Sequence, residues 1–333
     1  MSALRERVES VLERSTARRT GLVVGGRAGG DSAFWHRGAL PDGPRSILEI
    51  GSITKTFTAT LLADMACEGL VALDDPVNRH LPAGVRVPAR GREITLEDLA
   101  SHRSGLPRLP RGLLRRALWP DRRDPYARWD AARLEAAVPR SSPRREPGRR
   151  LVYSNYGAGL LGHVLALRAG TSYEGLVRER ICRPLGLVDT WIETPEPDRP
   201  RVAEGHDRRG RSVPHWHLAA LAGAGGLRST AADLLTFMRP HDRGATHPLA
   251  AAAAETRRPR DGRGRAGIGL GWLSLAPRSR LRYRVFLHEG GTGGFRSFAG
   301  FAPDAGVAAV VLANQARPVG RLGLRVLEAL VRE

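Results

Sequence analysis

Hydrophobic positions near the N-terminus first follow a helical period and then short apolar runs. The helical positions are Leu4, Val8, Val11 and Leu12, and they predict an amphipathic helix over residues 2–17. Apolar runs at 21–26 and 32–36 predict two strands, and Gly29 to Asp31 between them suits a hairpin turn. A third strand is predicted over 46–50.

The middle of the chain is predicted to be mostly helical. A helix opens at Ser52 and runs to about Glu68, where Gly69 ends it. Its helical spacing is carried by Ile53, Phe57, Thr60, Leu61 and Met65. Further helices are predicted after the Thr95 and Asp98 capping pair, over 155–169, over 172–182, after the cap at Thr230 through Met238, and over 249–255.

From Gly267 onward the apolar period changes to that of strands. The predicted strands are 268–275, 281–288, 295–301 and 307–313, separated by turn residues and followed by a helix over 320–332. Strands near both termini with helices between them predict one antiparallel sheet built from both chain ends. We therefore expect an α/β (α+β) fold in one unit, 1–333. Within it, residues 1–60 with 262–333 would form a sheet subdomain and 61–261 an inserted helical subdomain.

Composition supports a folded core and gives an unusual charge. Hydrophobic residues make up 41% of the chain and charged residues 26%, which does not suit a disordered protein. The net charge of +19 arises because 34 acidic residues stand against 53 basic ones. Such a charge suits an anionic partner. A nucleic-acid partner is not favoured, because no nucleic-acid motif is present and aromatics are only 5%. A diffuse solvated basic surface explains the charge more simply.

The cysteines and the N-terminus narrow the class of protein further. Cys67 and Cys182 are far apart and belong to no metal-type cluster, so both are expected to be buried small hydrophobes. Arg18 and Arg19 precede an apolar run too short for a signal peptide. No run approaches the roughly 18 apolar residues of a membrane span. These patterns lead us to expect a cytoplasmic protein.

Lysine occurs once in the chain, at Lys55, three residues after Ser52. Arginine keeps its proton in proteins, whereas a desolvated lysine can become a neutral base. Positions i and i+3 share a helix face, and a helix N-terminus favours the negative charge that develops on an acyl adduct. Ser52 and Lys55 could therefore form a nucleophile and its base. The simpler alternative is a plain N-cap and a solvated lysine, since this spacing alone is common.

Two further motifs carry reactive side chains. Tyr153 and Asn155 stand at a loop-to-helix junction, where a tyrosine can relay a proton and an asparagine can orient a substrate amide. The segment from His288 to Gly294 is rich in glycine, which lets a backbone approach a ligand closely. Taken alone, the first could be an ordinary turn and the second a glycine-rich hairpin.

Together, in this order and spacing, the three motifs resemble those of the serine β-lactamase and penicillin-binding-protein superfamily. The resemblance is nearest to the branch that holds class C β-lactamases, DD-peptidases, D-aminopeptidases and family VIII esterases. Three other segments share it, namely 99–107, 184–190 and 224–234. The resemblance implies a β-lactamase/transpeptidase-like fold. It also implies that Ser52 is the acylated nucleophile and that Lys55 and Tyr153 share the acid and base work.

The resemblance further implies substrate contacts at Asn155, His288 and Gly290, and an oxyanion hole that pairs the backbone N–H of Gly291 with that of the nucleophile. One departure concerns the third motif, where class C β-lactamases have Lys-Thr-Gly and this chain has His-Glu-Gly. Histidine is charged only part of the time near pH 7, so it anchors a β-lactam carboxylate weakly. The chain also lacks the Glu-x-x-Leu-Asn segment of class A enzymes. We expect slow acylation by penicillin and inefficient β-lactam hydrolysis.

The sequence thus predicts a cofactor-free serine hydrolase that acts on a small-molecule ester, amide or peptide. Three alternatives stay open: a DD-carboxypeptidase, D-aminopeptidase or weak β-lactamase; an acyltransferase or thioesterase of secondary metabolism; and a non-catalytic penicillin- or peptide-binding domain. An acidic carrier protein could dock on the basic surface. No metal site is expected, because His215 and His217 lack further ligands at matching spacing. They are interpreted as pocket wall or surface, His102 as a structural loop residue, and the Arg-rich stretch 103–150 as irregular chain along one pocket wall.

Overall fold

The computed structural model describes residues 2–13, 20–113, 124–263, 265–278 and 281–331. Its helices are α1 (Ser2–Glu13), α2 (Thr54–Cys67), α3 (Leu96–Ala100), α4 (Ala131–Ala137), α5 (Asn155–Ala169), α6 (Tyr173–Val177), α7 (Arg183–Leu185), α8 (Ala231–Phe237), α9 (Ala250–Arg257) and α10 (Gly320–Val331). A π-helical turn, Arg178–Cys182, joins α6 to α7. Among the described residues no helix is both long and apolar enough to cross a membrane.

The strands are β1 (Gly21–Ala28), β2 (Asp31–Gly38), β3 (Leu48–Glu49), β4 (Gly205–His206), β5 (Ser212–Val213), β6 (Arg228–Ser229), β7 (Asp261–Arg263), β8 (Ala266–Ile268), β9 (Leu273–Leu275), β10 (Val285–Gly291), β11 (Arg296–Ala302) and β12 (Val307–Ala313). Eight of them form one antiparallel sheet in the order β2-β1-β12-β11-β10-β9-β8-β7. Strands from both ends of the chain meet where β1 pairs with β12, and Val24 lies opposite Val311. The predicted α/β fold, with a sheet built from both termini, is confirmed.

Helices cover both faces of the sheet, so β12, one of its inner strands, is buried throughout. In β12, Val310 and Leu312 belong to the large core that the sheet shares with α2 and α8. Their neighbours Ala309 and Val311 belong to a second core against α1 and α10. This alternation follows from the period of two in a strand. The α2 side holds the serine and lysine singled out in the sequence.

Glycines let the segment Ala219–Ala224 pack closely against α5. A Cβ atom on Gly162 would lie 2.9 Å from the Cα of Gly223. Helix α2 holds the same segment from the other side, because the Thr58 hydroxyl donates to the carbonyl of Gly223 at 2.8 Å. These contacts fix the position of the next carbonyl, that of Ala224, which faces the candidate site.

Most helix predictions are confirmed, including the capping box of Thr95 and Asp98 and the end of α5 at Gly170. The helix predicted over 2–17 is seen as α1, and residues 14–17 lie outside the described residues. The prediction of one strand over 268–275 is wrong. A turn divides it into β8 and β9, in which the Gly269 N–H donates to the Trp272 carbonyl and Gly271 has a φ of +70°.

Three other expectations need correction. The strand predicted over 281–288 is β10, which begins at Val285 and extends to Gly291. The strand predicted over 46–50 is two residues long and pairs with β6, outside the main sheet. Cys67 is exposed at the C-terminal end of α2, whereas Cys182 is buried as expected. The division into a sheet subdomain and a helical subdomain stays a prediction.

We predict that Gly162→Ala destabilises the protein, because the new methyl group meets the Gly223 backbone at 2.9 Å and the ring of the buried Tyr173 at 3.1 Å. Overpacking of this kind costs about 1–3 kcal/mol, and alanine regains roughly 0.5–1 kcal/mol over glycine inside a helix. We expect the free energy of unfolding to fall by about 1 kcal/mol in a denaturant titration. Leu167→Ala, at an exposed position of the same helix, is the control. Unchanged stability of Gly162→Ala would contradict this close contact.

Candidate active site

Ser52 and Lys55 meet at the start of α2. A 3₁₀ turn, Gly51–Ile53, leads into the helix and places the two side chains on one face. The Lys55 Nζ lies 3.0 Å from the Ser52 Oγ and donates to the carbonyl of Ala224 at 2.5 Å. Lys55 is buried, and Ser52 is partly exposed. The amine is thus confined between the serine and one carbonyl, and no acidic side chain is recorded within ion-pairing distance of it in the described chain.

Tyr153 reaches the same serine from the loop before α5. Its hydroxyl donates to the Ser52 Oγ at 2.7 Å, and its ring centroid is 4.9 Å from the Lys55 Nζ. The adjacent Ser154 caps α5 by accepting from the Gly157 N–H at 2.9 Å, and its own hydroxyl donates to the Pro107 carbonyl. This cap fixes the backbone that carries Tyr153.

Burial sets the protonation of the amine and the phenol. It lowers the pKa of Lys55 well below 10.5, and the positive charge of Arg108 lowers it further. Burial raises the pKa of Tyr153, against the smaller opposing effects of its Ser52 hydrogen bond and of Arg108. A neutral amine can accept the serine proton, while the neutral phenol donates to the serine oxygen. The geometry therefore suits activation of Ser52 as a nucleophile.

Two buried histidines stand beside this group. His288 in β10 has its Nδ1 2.8 Å from the Glu289 carbonyl, and burial, followed by repulsion from a protonated Lys55, lowers its pKa to about 3. His102 accepts the Ser154 N–H at its Nδ1, at 3.3 Å, and its ring centroid is 4.5 Å from that of Tyr153. Burial also lowers the pKa of His102 well below its usual value. Both imidazoles are neutral near pH 7, and the contacts of His102 fit the structural role expected of it.

The glycines of β10 bring that strand against the serine turn. A Cβ on Gly290 would collide with the carbonyl of Ile50, and a Cβ on Gly51 would lie 2.5 Å from the Gly291 nitrogen. Gly51 itself has a φ of +50°, which glycine adopts without strain. The backbone of Gly291 therefore lies beside the turn that carries Ser52. Two backbone N–H groups there could bind an oxyanion.

Aromatic and polar side chains form one wall of the site. The Asn155 Nδ2 lies 3.4 Å from the Tyr126 hydroxyl, and its buried Oδ1 has no hydrogen-bond partner among the described residues. The Tyr126 and Trp216 rings are 5.4 Å apart. The Arg108 guanidinium lies 5.6 Å from the Tyr153 ring centroid. Sequence reasoning singled out Asn155 but missed Tyr126 and Arg108, which follow no motif in a stretch crowded with arginine.

The paired histidines of segment 215–217 are held by carboxylates. His215 Nδ1 is 2.7 Å from the buried Glu49, and His217 Nδ1 is 3.1 Å from Asp124. No cluster of three or more possible metal ligands occurs within the described ranges. The ring of Trp216 between them packs against the backbone of Gly293. The segment therefore forms part of the wall.

Comparisons with known proteins match almost the whole chain to one protein family. A family model described as Beta-lactamase matches residues 4–333. The D-alanyl-D-alanine-carboxypeptidase/endopeptidase AmpH of Escherichia coli K12 is 35% identical over 290 residues, which cover 81% of this chain and 71% of that protein. A Beta-lactamase of Pseudomonas fluorescens is 26% identical over 356 residues, covering 95% of this chain and 94% of the relative.

A solved structure shares the fold over nearly its whole length. The class C beta lactamase from Rhodobacter sphaeroides superposes with a TM-score of 0.80, at 28% identity, and 99% of each chain is covered. The resemblance stated from the motifs is confirmed by these matches.

We predict that the pKa of Lys55 is far below 10.5 and rises in Arg108→Gln, because the substitution removes a nearby positive charge. Since Lys55 is the only lysine, protein made with isotope-labelled lysine gives one side-chain NMR signal to titrate. Arg111→Gln, which removes an exposed charge from the same segment, is the control. A wild-type pKa near 10.5 would contradict the burial of the amine, and equal values in all three proteins would contradict its coupling to Arg108.

Proposed function

The chain belongs to the Beta-lactamase family, and we propose that it is a serine hydrolase that cleaves an amide or ester bond through an acyl-enzyme at Ser52. One observation carries the proposal. The Ser52 Oγ lies within hydrogen-bonding distance of both the Lys55 amine, at 3.0 Å, and the Tyr153 hydroxyl, at 2.7 Å. A serine needs such a base to become nucleophilic near neutral pH.

Acylation follows from this arrangement. The Ser52 Oγ attacks the substrate carbonyl carbon as its proton passes to the neutral Lys55 amine. The Ala224 carbonyl accepts from Lys55 and stabilises the ammonium that forms. The carbonyl oxygen gains the negative charge, and the N–H groups of Ser52 and Gly291 stabilise it. As the bond to the leaving group breaks, the proton held by the Lys55 and Tyr153 pair passes to the departing nitrogen or oxygen.

Deacylation repeats these roles with water as the nucleophile. Water loses a proton to the Lys55 amine and attacks the ester carbon, and the Ser52 oxygen departs as it regains a proton from Lys55. Asn155 is proposed to bind the substrate amide, since its buried Oδ1 has no partner in the described part of the chain. Gly290 and His288 would line the opposite side of the substrate. The reaction as proposed uses no cofactor.

Peptide-like amides are the substrates we favour over β-lactams. The relative AmpH is named as a D-alanyl-D-alanine carboxypeptidase/endopeptidase, which supports a peptide ending in D-amino acids. His288, with a pKa of about 3, offers no positive charge at the third motif to hold a β-lactam carboxylate. We therefore propose that penicillin acylates Ser52 slowly and is hydrolysed poorly, while simple activated esters are also turned over.

We predict that a brief exposure to an activated acyl ester, or separately a prolonged exposure to a penicillin, adds the mass of one acyl group to the intact protein. The adduct should be absent from Ser52→Ala, because that variant lacks the nucleophile. Ser142→Ala is the control, since Ser142 is exposed and lies in none of the motifs. Intact-protein mass spectrometry measures all three. If Ser52→Ala carried the same adduct, or if folded wild-type protein carried none, the acyl-enzyme would be excluded.

We further predict that Lys55→Arg slows acylation by roughly 100-fold or more. The substitution keeps a positive charge but replaces a base that can be neutral with one that stays protonated. Stopped-flow release of the leaving group from an activated ester measures the rate, and circular dichroism checks that the variant is folded. A folded Lys55→Arg protein with near wild-type acylation would show that Lys55 is not the base.

A further inference from the structure

Arg108 places an unpaired positive charge over the candidate site. Its side chain is exposed, and its guanidinium lies 5.6 Å from the Tyr153 ring centroid. Within the described ranges this guanidinium has no ion pair and no hydrogen bond, and it lies over the Tyr153 ring. Nearly all arginines stay protonated at any physiological pH. An exposed charge left without a carboxylate beside Tyr153 is available to a ligand.

Arg108 supplies a positive charge near Ser52 that is bound to no other group among the described residues, whereas the Arg296 guanidinium beside Gly291 donates to the Thr292 and Phe295 carbonyls. Burial lowers the pKa of Lys55 well below 10.5 and lowers the pKa of His288 to about 3. His102 is likewise buried and neutral. Arg108, in contrast, lowers the pKa of Lys55 and opposes the rise in the pKa of Tyr126 and Tyr153, so its field reaches the groups that would surround a substrate.

The nearby acidic side chains do not neutralise this charge. Glu49 accepts from the Trp216 N–H and contacts His215. Asp124 accepts from the His217 N–H and contacts the ring of the same residue. Both carboxylates on this wall are therefore engaged by other groups.

The backbone at Arg108 is anchored to the catalytic loop. Its carbonyl accepts the Tyr156 N–H at 3.1 Å, and the preceding carbonyl, of Pro107, accepts the Ser154 hydroxyl at 2.7 Å. Both partners lie within three residues of Tyr153. The Arg108 Cα is thus fixed relative to Tyr153 while its long side chain stays free to meet a ligand.

We propose that Arg108 determines specificity by binding a carboxylate, or an anionic group of similar size, that the substrate carries close to the scissile bond. The inference rests on the proposed function and names a substrate class for it. A planar guanidinium forms paired hydrogen bonds with a carboxylate, and the Tyr153 ring beneath it would hold the side chain in place.

The test compares substrates that differ by one charge. Because the acyl and leaving groups both extend from the carbonyl that Ser52 attacks, the carboxylate is placed on each in turn. The first pair is 4-nitrophenyl hydrogen glutarate and its methyl ester. The second pair is 4-carboxyphenyl acetate and its methyl ester. For each pair, kcat/KM of the anionic ester is divided by kcat/KM of the neutral ester at one pH.

We expect Arg108→Gln to lower this ratio about tenfold for at least one pair, while Arg108→Lys keeps most of it. Arg111→Gln, at another exposed arginine of the segment, should leave both ratios unchanged. Any effect of Arg108→Gln on the pKa of Lys55 changes both esters of a pair alike, so it cancels in the ratio.

The outcomes distinguish a failure of this inference from a failure of the proposed function. If wild-type, Arg108→Gln and Arg108→Lys proteins give equal ratios in both pairs, Arg108 binds no substrate anion. Ser52-dependent turnover of the neutral esters would in that case still support the proposed hydrolase. If none of the four esters shows Ser52-dependent turnover, the proposed function fails and the inference fails with it. A fall in the ratio for Arg111→Gln equal to that for Arg108→Gln would also overturn it, since the effect would then be a general one of surface charge.

Discussion

Burial of the Lys55 amine beside Ser52 is the constraint on which the rest of the site depends. A charged amine without a carboxylate is costly to bury, so burial lowers the pKa of Lys55 and favours its neutral form. The Ala224 carbonyl, at 2.5 Å, gives that amine one acceptor without giving it a negative partner. A carboxylate in that position would have restored the proton and removed the base. The neutral states of His102 and His288 follow mainly from the same burial.

The fold meets this constraint mainly through close backbone contacts. Gly162 and Gly223 let α5 and the segment before Ala224 approach each other, which places the accepting carbonyl over α2. Gly290 lets β10 approach the turn at Ile50, which brings the Gly291 backbone beside Ser52. The start of α2 thus contributes Ser52 and Lys55, β10 contributes the Gly291 backbone, and the segment packed on α5 contributes the Ala224 carbonyl. Arg108 adds a positive charge at the exposed side of the site. This charge disfavours a proton on Lys55 and stays available to a ligand.

Much of the fold could be predicted from the sequence because its helices and strands carry their own periodicity and caps. Ser52 and Lys55 could be paired for the same reason, since one helical turn separates them. The association of Tyr153 and His288 with that pair depends on contacts between distant parts of the chain, so motifs taken alone left it open and the family resemblance supplied it. The break between β8 and β9 was missed because an apolar run hides the turn at Gly271. Arg108 was missed because one unpaired arginine among many has no pattern in sequence.

The most direct test of the account is a crystal structure of the protein treated with an arylboronic acid, which adds to an activated serine as a tetrahedral adduct. The account predicts boron bonded to the Ser52 Oγ, one boronate oxygen within hydrogen-bonding distance of the N–H groups of Ser52 and Gly291, and the Lys55 amine still on the Ala224 carbonyl. A boronate bonded to another residue, or bound at Ser52 with both oxygens turned away from Gly291, would contradict it.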